Sequence, residues 1–298
     1  MAGGARGTPE RVGLWPEGSL IDKLDKFVSY HAVFRWQLGL LELPLAVPGT
    51  WFGTTTTSLG SAPLLIAAVA EPGNTRLAAV AVAIFVGALV AFCLVVTGRA
   101  DRELLWWKPP VFVLTSVGIA RLLSPTAVHI VSFYVACWGY AVLSGSLLKT
   151  VFARRRPCIS VEGCELLDEL RLLPLHEHLC AGYTAIESFP SGDACGGAVA
   201  SSALYLATGG VSWLVWLPML FSMYGRMYIW AHHLLDVVAG AVVGVAISFA
   251  LNRVCPWREF SLLQLLICMG IFTLGRKGIV KLRPQLPVEL TAGKHYYG

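Results

Sequence analysis

Two stretches of this chain run without charge for longer than a soluble helix normally does. Leu77–Thr97 has 21 residues and no charge, and Thr126–Leu148 has 23 with only His129 in its interior. A helix needs ~20 mostly apolar residues to cross the hydrocarbon core of a bilayer, so each stretch predicts a membrane span. Lipid offers the backbone no hydrogen-bond partners, so a spanning segment must satisfy its own polar groups. The fold class that follows is all-α, a polytopic membrane helix bundle. The whole chain agrees: 56% of its 298 residues are hydrophobic and 14% charged, against ~25% charged in a soluble domain. The net charge of +5 is spread along the chain. That distribution suits basic flanks around spans and argues against a nucleic-acid partner.

Further spans follow from the same pattern. Leu104–Leu123 carries Lys108 and Arg121 near its ends, where long basic side chains can snorkel. Ala194–Gly225 is uncharged for 32 residues, too long for one upright helix, and Gly209-Gly210 near its middle predicts a helical hairpin. Leu234–Leu251 has Asp236 near its start and a Gly240-xxx-Gly244 face suited to close helix contact. Phe260–Gly275 is a shorter last span, followed by a basic tail, Arg276–Gly298. Ser61–Ala70 is too short to cross. In residues 27–47, Phe27, His31, Phe34, Leu38, Leu41 and Leu45 recur every three or four positions, interrupted by Lys26, Arg35 and Glu42. This predicts an amphipathic helix lying in the membrane interface. Met1–Gly18 has no apolar run and does not read as a cleavable signal. The expected organisation is an N-terminal region over 1–76, a catalytic membrane core over 77–251, and an extra helix with a basic tail over 252–298.

The polar residues fall in three clusters. Lys149–Pro157 reads KTVFARRRP, Ser188–Asp193 reads SFPSGD, and Gly225–Asp236 reads GRMYIWAHHLLD. One span ends at the first cluster, the next leaves from the second, and its hairpin partner returns to the third. Parity therefore places all three at one membrane face. Lys149, Arg155 or Arg156, and Arg226 would bring positive charge to one pocket, as the equatorial oxygens of a phosphoryl group in transfer require. Ser191-Gly192 at a helix start offers a hydroxyl and backbone N–H groups for an anion. His232 and Asp236 are four apart, hence on one helical face. An Asp accepting from one ring nitrogen would orient the imidazole and leave the other as a nucleophile. Each cluster alone has a plainer reading: Arg154–Arg156 as a positive-inside flank, Lys149 as a snorkelling helix end, Arg226 and the histidines as interfacial residues. It is their joint order and parity that favour phosphate chemistry.

That order resembles the type 2 phosphatidic acid phosphatase (PAP2) superfamily, whose pattern is K-x6-R-P, then P-S-G-H, then S-R-x5-H-x3-D. Here Lys149 is followed by six residues and Arg156-Pro157, then come Pro190-Ser191-Gly192, then Arg226, five residues, His232, three residues and Asp236. The resemblance covers roughly residues 77–251 and implies a six-helix membrane core, with the C-terminal helix and the N-terminal amphipathic segment as additions. It implies that Lys149, Arg156, Ser191, Gly192 and Arg226 bind phosphate. It makes His232 the nucleophile of a phosphohistidine intermediate and Asp236 its orienter, with no metal and no cofactor. The implied substrate is a lipid phosphate or diphosphate, drawn from the surrounding membrane lipids. His233 is one position off the pattern and receives no role.

Two positions depart from the pattern. Gly225 replaces a serine, a mild change, and Asp193 stands where the family has the histidine that protonates the leaving oxygen. An unperturbed Asp has a pKa of ~3.9 against ~6.5 for His, so about one in a thousand is protonated at neutral pH. Three readings follow. Asp193 can be a weaker general acid. The substrate can be one that needs little protonation, as when a diphosphate leaves as a phosphate of second pKa ~6, which would favour isoprenoid diphosphates over phosphatidate. Or the chain can bind lipid phosphates without hydrolysing them. Transfer of the phosphoryl group to a lipid alcohol is a variant of the enzyme reading. A transporter is disfavoured, since its site would lie near the bilayer midplane.

Basic residues occur at both membrane faces, which is compatible with either orientation, and the expected location is the endoplasmic reticulum or the plasma membrane. Cys158, Cys164 and Cys180 share one loop, in which two of them could pair in an oxidising compartment. Nothing in the sequence sets an oligomeric state.

Overall fold

The computed structural model describes residues 14–42, 56–96, 99, 109–157 and 187–282. Those residues form nine α-helices and no sheet, only an isolated bridge between Arg155 and Glu187. The helices are α1 (Leu20–Ser29), α2 (Ala62–Ala70), α3 (Thr75–Val96), α4 (Pro109–Leu123), α5 (Pro125–Phe152), α6 (Gly192–Thr208), α7 (Leu217–Tyr228), α8 (Leu234–Val254) and α9 (Leu262–Leu282). Four are long and apolar enough to cross a membrane: α3, α5, α8 and α9. The chain is an integral membrane protein.

Helix α5 is the central post. Ser124 caps its start by accepting the Ala127 N–H, and Pro125 supplies the favoured first-turn residue. Ile130, Val131, Phe133, Tyr134, Val135 and Cys137 are buried around most of its circumference, against α2, α4, α6, α8 and α9. Twenty-eight residues at 1.5 Å each give about 42 Å of helix, more than the ~30 Å hydrocarbon core. The helix is thus long enough to cross with turns to spare. Helix α2 is buried through Leu64, Ile66 and Ala67 between its neighbours, consistent with a segment too short to span.

The hairpin expected in 194–225 is present. Helix α6 ends at Gly209 and Gly210, both with positive φ (68° and 74°), and a 3-10 turn at Trp213–Trp216 leads into α7. Helix α6 packs most extensively on α8. The reason is Gly240 and Gly244: a Cβ at either would overlap the carbonyl oxygen of Ser191 or Cys195. Without side chains there, the two backbones meet.

Two boundaries differ from the sequence reading, and a third falls partly outside the described residues. The described part of the 104–123 span begins at Pro109, with 104–108 outside the described residues. The last helix continues to Leu282, so Arg276, Lys277 and Lys281 belong to it and not to a tail. The amphipathic helix expected over 27–47 instead occupies 20–29, followed by a π-helical turn at Tyr30–Phe34 and a short 3-10 turn at Gly39–Leu41. Its start is fixed by Ser19, whose side chain accepts the Asp22 N–H at 3.2 Å. The apolar period that placed it too late mixes residues of α1 with residues that pack after it. Residues 43–47, the tail beyond 282 and the three loop cysteines lie outside the described residues.

Helix α1 is amphipathic in an unusual sense. Asp22, Asp25 and Ser29 are buried against the bundle, whereas Leu20, Ile21, Leu24 and Phe27 are exposed, Leu20 by 81%. A helix on a soluble core buries the opposite face.

Candidate active site

The ends of four helices converge here: the C-termini of α5 and α7 and the N-termini of α6 and α8. Two left-handed residues aim the side chains. Ala153 (φ 51°) ends α5 and turns the chain so that Arg154 and Arg156 both point inward and are buried, while Arg155 is exposed. Trp230 (φ 55°) follows α7, where Ala231 donates its N–H back to the Arg226 carbonyl at 3.1 Å. For a residue with a Cβ, each costs on the order of 1 kcal/mol. The Trp230 ring stacks on Phe34 at 4.2 Å, a contact that holds the turn delivering His232.

His232 is fully buried. Its Nε2 lies 3.1 Å from a guanidinium nitrogen of Arg156, which also donates to the Ala231 carbonyl at 3.4 Å. Its Nδ1 faces the Asp236 carboxylate at 3.8 Å, a shift of under 1 Å short of a hydrogen bond. Burial, then the Arg156 guanidinium, with Arg226 and Lys149 adding to it, hold the imidazole well below its ordinary pKa against the pull of Asp236. The ring is therefore neutral at pH 7, the state a nucleophile needs.

Asp236 is held on both oxygens. Oδ1 accepts from Arg154 at 2.7 Å, and Oδ2 accepts the His233 N–H at 2.9 Å in the first turn of α8. The Lys149 ammonium donates to the carbonyls of Glu187 and Ser188 at 2.9 and 3.3 Å, tying α5 to the segment before α6. Ser191 caps α6 by accepting the Ala194 N–H at 3.3 Å, so its hydroxyl and Gly192 sit at the positive end of that helix. Arg226, 1% exposed, is paired through Nε with the Asp193 carboxylate at 2.7 Å. The Asp193 carbonyl accepts the Ser222 hydroxyl at 2.7 Å. Lys149, Arg156, Ser191, Gly192, Asp193, Arg226, His232 and Asp236 are thus gathered at one end of the bundle.

Some residues here were not singled out by their sequence context. Arg154 is as buried as Arg226; besides Asp236 it meets Asp25 at 2.7 Å and Asp22 at 3.2 Å, and its guanidinium lies 4.0 Å over the Trp15 ring. In a run of three arginines nothing local distinguishes it from a basic flank. Asp25 and Ser29 also cap α8, accepting the N–H groups of Leu235 at 3.0 Å and Leu234 at 2.8 Å. The signal that was available is the pair of acids spaced i, i+3 on one face of an amphipathic segment. Tyr228 is a further tie, donating to Glu42 at 2.6 Å.

Comparison with curated proteins and with solved structures gave no match. A comparison with family models did: the PAP2 superfamily model matches residues 128–260, from the body of α5 to the turn before α9. This stretch holds all three polar clusters, and over it the chain is similar to the PAP2 superfamily.

Proposed function

We propose that the protein is a membrane lipid phosphatase that works through a phosphohistidine on His232 without a metal. The observation that carries this is the environment of His232: a buried, neutral imidazole with Nε2 beside the Arg156 guanidinium and Nδ1 facing a fixed carboxylate. In the first step the Nε2 lone pair attacks phosphorus. A P–N bond forms, and the bond from phosphorus to the leaving oxygen breaks with its electron pair. Asp236 stabilises the cationic ring through Nδ1–H. Lys149, Arg156, Arg226, the Ser191 hydroxyl and the N-terminus of α6 bind the phosphoryl oxygens. In the second step water attacks phosphorus, the P–N bond breaks back onto Nε2, and phosphate departs.

The substrate reading turns on Asp193. Its carboxylate is engaged as the ion-pair partner of Arg226, an acceptor's role, so a leaving group that needs no proton suits the site best. A terminal phosphoryl group leaving an alkyl diphosphate is such a case, since the departing group is itself a phosphate. This supports an isoprenoid diphosphate over phosphatidate. A second reading, a lipid-phosphate binder without hydrolysis, rests on the same ion pair, and transfer to a lipid alcohol is the third.

The test is phosphate release by purified protein in detergent with EDTA, with polyprenyl diphosphate and phosphatidate side by side. Release that survives EDTA, favours the diphosphate and is lost in His232→Ala is the expected result. Binding of both lipids with no release at any pH from mildly acidic to mildly basic supports the binder. Labelled phosphate appearing on an added alcohol supports the transferase.

A further inference from the structure

We propose that α1 is a membrane-seated clamp on the site, with its apolar face in the headgroup–acyl boundary and its buried carboxylates holding Arg154, the positioning residue for Asp236. The inference deepens the phosphohistidine reading and rests on it.

The ionic path is continuous. Asp22 and Asp25 of α1 meet Arg154 at 3.2 and 2.7 Å, and Arg154 meets Asp236 at 2.7 Å, with side chains 2% exposed or less throughout. Asp236 in turn faces Nδ1 of His232. Arg154 is in direct ion-pair contact with Asp236, with the Lys149 ammonium also acting on it. It is also fixed from outside the carboxylates, by the Trp15 ring 4.0 Å away. Burial pushes the Asp22 carboxyl up, but hydrogen bonds from Lys26, the Trp15 indole and the Gly18 N–H outweigh it and hold Asp22 below the usual carboxylate range. Asp22 therefore stays ionised for Arg154 at any physiological pH.

The seat follows from the other face of the same helix. Leu20, Ile21, Leu24 and Phe27 are 59–81% exposed. Lys26, with its side chain half exposed, sits at the edge of that face on Asp22. Helix α1 packs across the start of α8, a membrane-crossing helix whose Val238 and Val242 are themselves exposed. The exposed apolar face of α1 thus belongs to a helix docked at the end of a membrane-crossing one, the placement that an interfacial helix requires.

His232 is faced by Asp236 from α8, Arg156 from the segment after α5, Lys149 from α5 and Arg226 from α7, with Arg154 reaching it through Asp236 and Asp193 through Arg226. Removing the Arg154 charge strengthens the field of Asp236 at the ring, with Arg156, Arg226 and Lys149 still opposing it, so the imidazole titrates higher. Removing the Asp25 charge acts the other way.

The experiment uses the full chain in lipid nanodiscs. Nitrogen-15 histidine spectra, assigned with His232→Ala, follow the His232 titration in wild type, Arg154→Gln and Asp25→Asn. Arg154→Gln is expected to raise the midpoint by about one pH unit, and Asp25→Asn to leave it at or below that of wild type. A site that has merely loosened would drive both up toward the ordinary value, and that result, or an unmoved midpoint in Arg154→Gln, overturns the clamp. If Arg154→Gln does not fold, the direction in Asp25→Asn decides. A fluorophore on Leu24→Cys is expected to be quenched by lipids carrying a quencher near the headgroup and little by those carrying it at the chain end. No quenching by either overturns the membrane seat. Neither readout needs turnover, so an inactive wild type would sink the phosphatase reading without touching this result.

Discussion

The backbone N–H of Ser191 donates to the carbonyl of Asp236 at 2.8 Å. This bond joins the residue that caps α6 to the residue that faces His232, so the second and third polar clusters share a backbone contact. It forms because Gly240, one turn further along α8, leaves room for the Ser191 carbonyl. Gly240→Ala is expected to destabilise the protein by about 1–3 kcal/mol through overpacking and to lower turnover, since Ser191 must move. Thermal unfolding in detergent and phosphate release measure the two effects. Gly270→Ala, where a Cβ meets nothing, is the neutral control.

Asp236→Asn keeps the shape of the side chain and its place between Arg154 and the His233 N–H. It removes the charge that stabilises the imidazole as it becomes cationic. Turnover should fall by about 10²–10⁴-fold, with KM changed far less, because the loss is confined to the transition state. Steady-state kinetics on a lipid diphosphate check the split.

The pH dependence has a definite sign. His232 is held neutral by burial and by Arg156, while an unfolded chain has an ordinary histidine near 6.5. Below about pH 6.5 the unfolded state binds a proton that the native state refuses, so this residue's contribution to stability is full above that value and shrinks as pH falls. The nucleophile stays unprotonated over the same range. The acid limb of kcat/KM should therefore lie below about 6.5. A pH profile of hydrolysis with a limb at or above that value would contradict the environment described for His232.

Asp193→His restores the group that can protonate a leaving alkoxide and breaks the ion pair with Arg226. Phosphatidate hydrolysis should rise by at least about tenfold, the low side of what a positioned acid supplies. Hydrolysis of a polyprenyl diphosphate should change far less. Equal gains on both substrates would remove the leaving-group account of Asp193.

The spans and the three clusters were legible because each is a local pattern: uncharged runs of fixed length, and motifs whose members lie on one helix end. The hairpin could be read from Gly209-Gly210 for the same reason, since a pair of glycines with positive φ is a backbone requirement written in the sequence. Arg154 was not legible. Its three carboxylate partners are 82 to 132 residues away and the neighbouring arginines have the same chemistry. The boundaries of α1 were misplaced because the apolar period runs on past Ser29 into residues such as Phe34 that pack after the helix. In α1 the packed face carries Asp22, Asp25 and Ser29, and periodicity points away from the contact. The pairing of Asp193 with Arg226 was equally hidden, as it depends on how α6 and α7 meet around Gly197, where the Ser222 side chain and Pro218 carbonyl pass close.

The inside-out character of α1 also bears on the order in which the protein is made. The N–H group that Asp25 caps belongs to Leu235, 210 residues later in the chain. At roughly 5–20 residues per second a ribosome needs on the order of 10–40 s to cover that distance. For that interval α1 exists while the backbone group that Asp25 caps has not been synthesised. An outward apolar face gives it somewhere to rest meanwhile, on the membrane surface beside the growing bundle, with Asp25 turned to water until the later segments arrive to meet it.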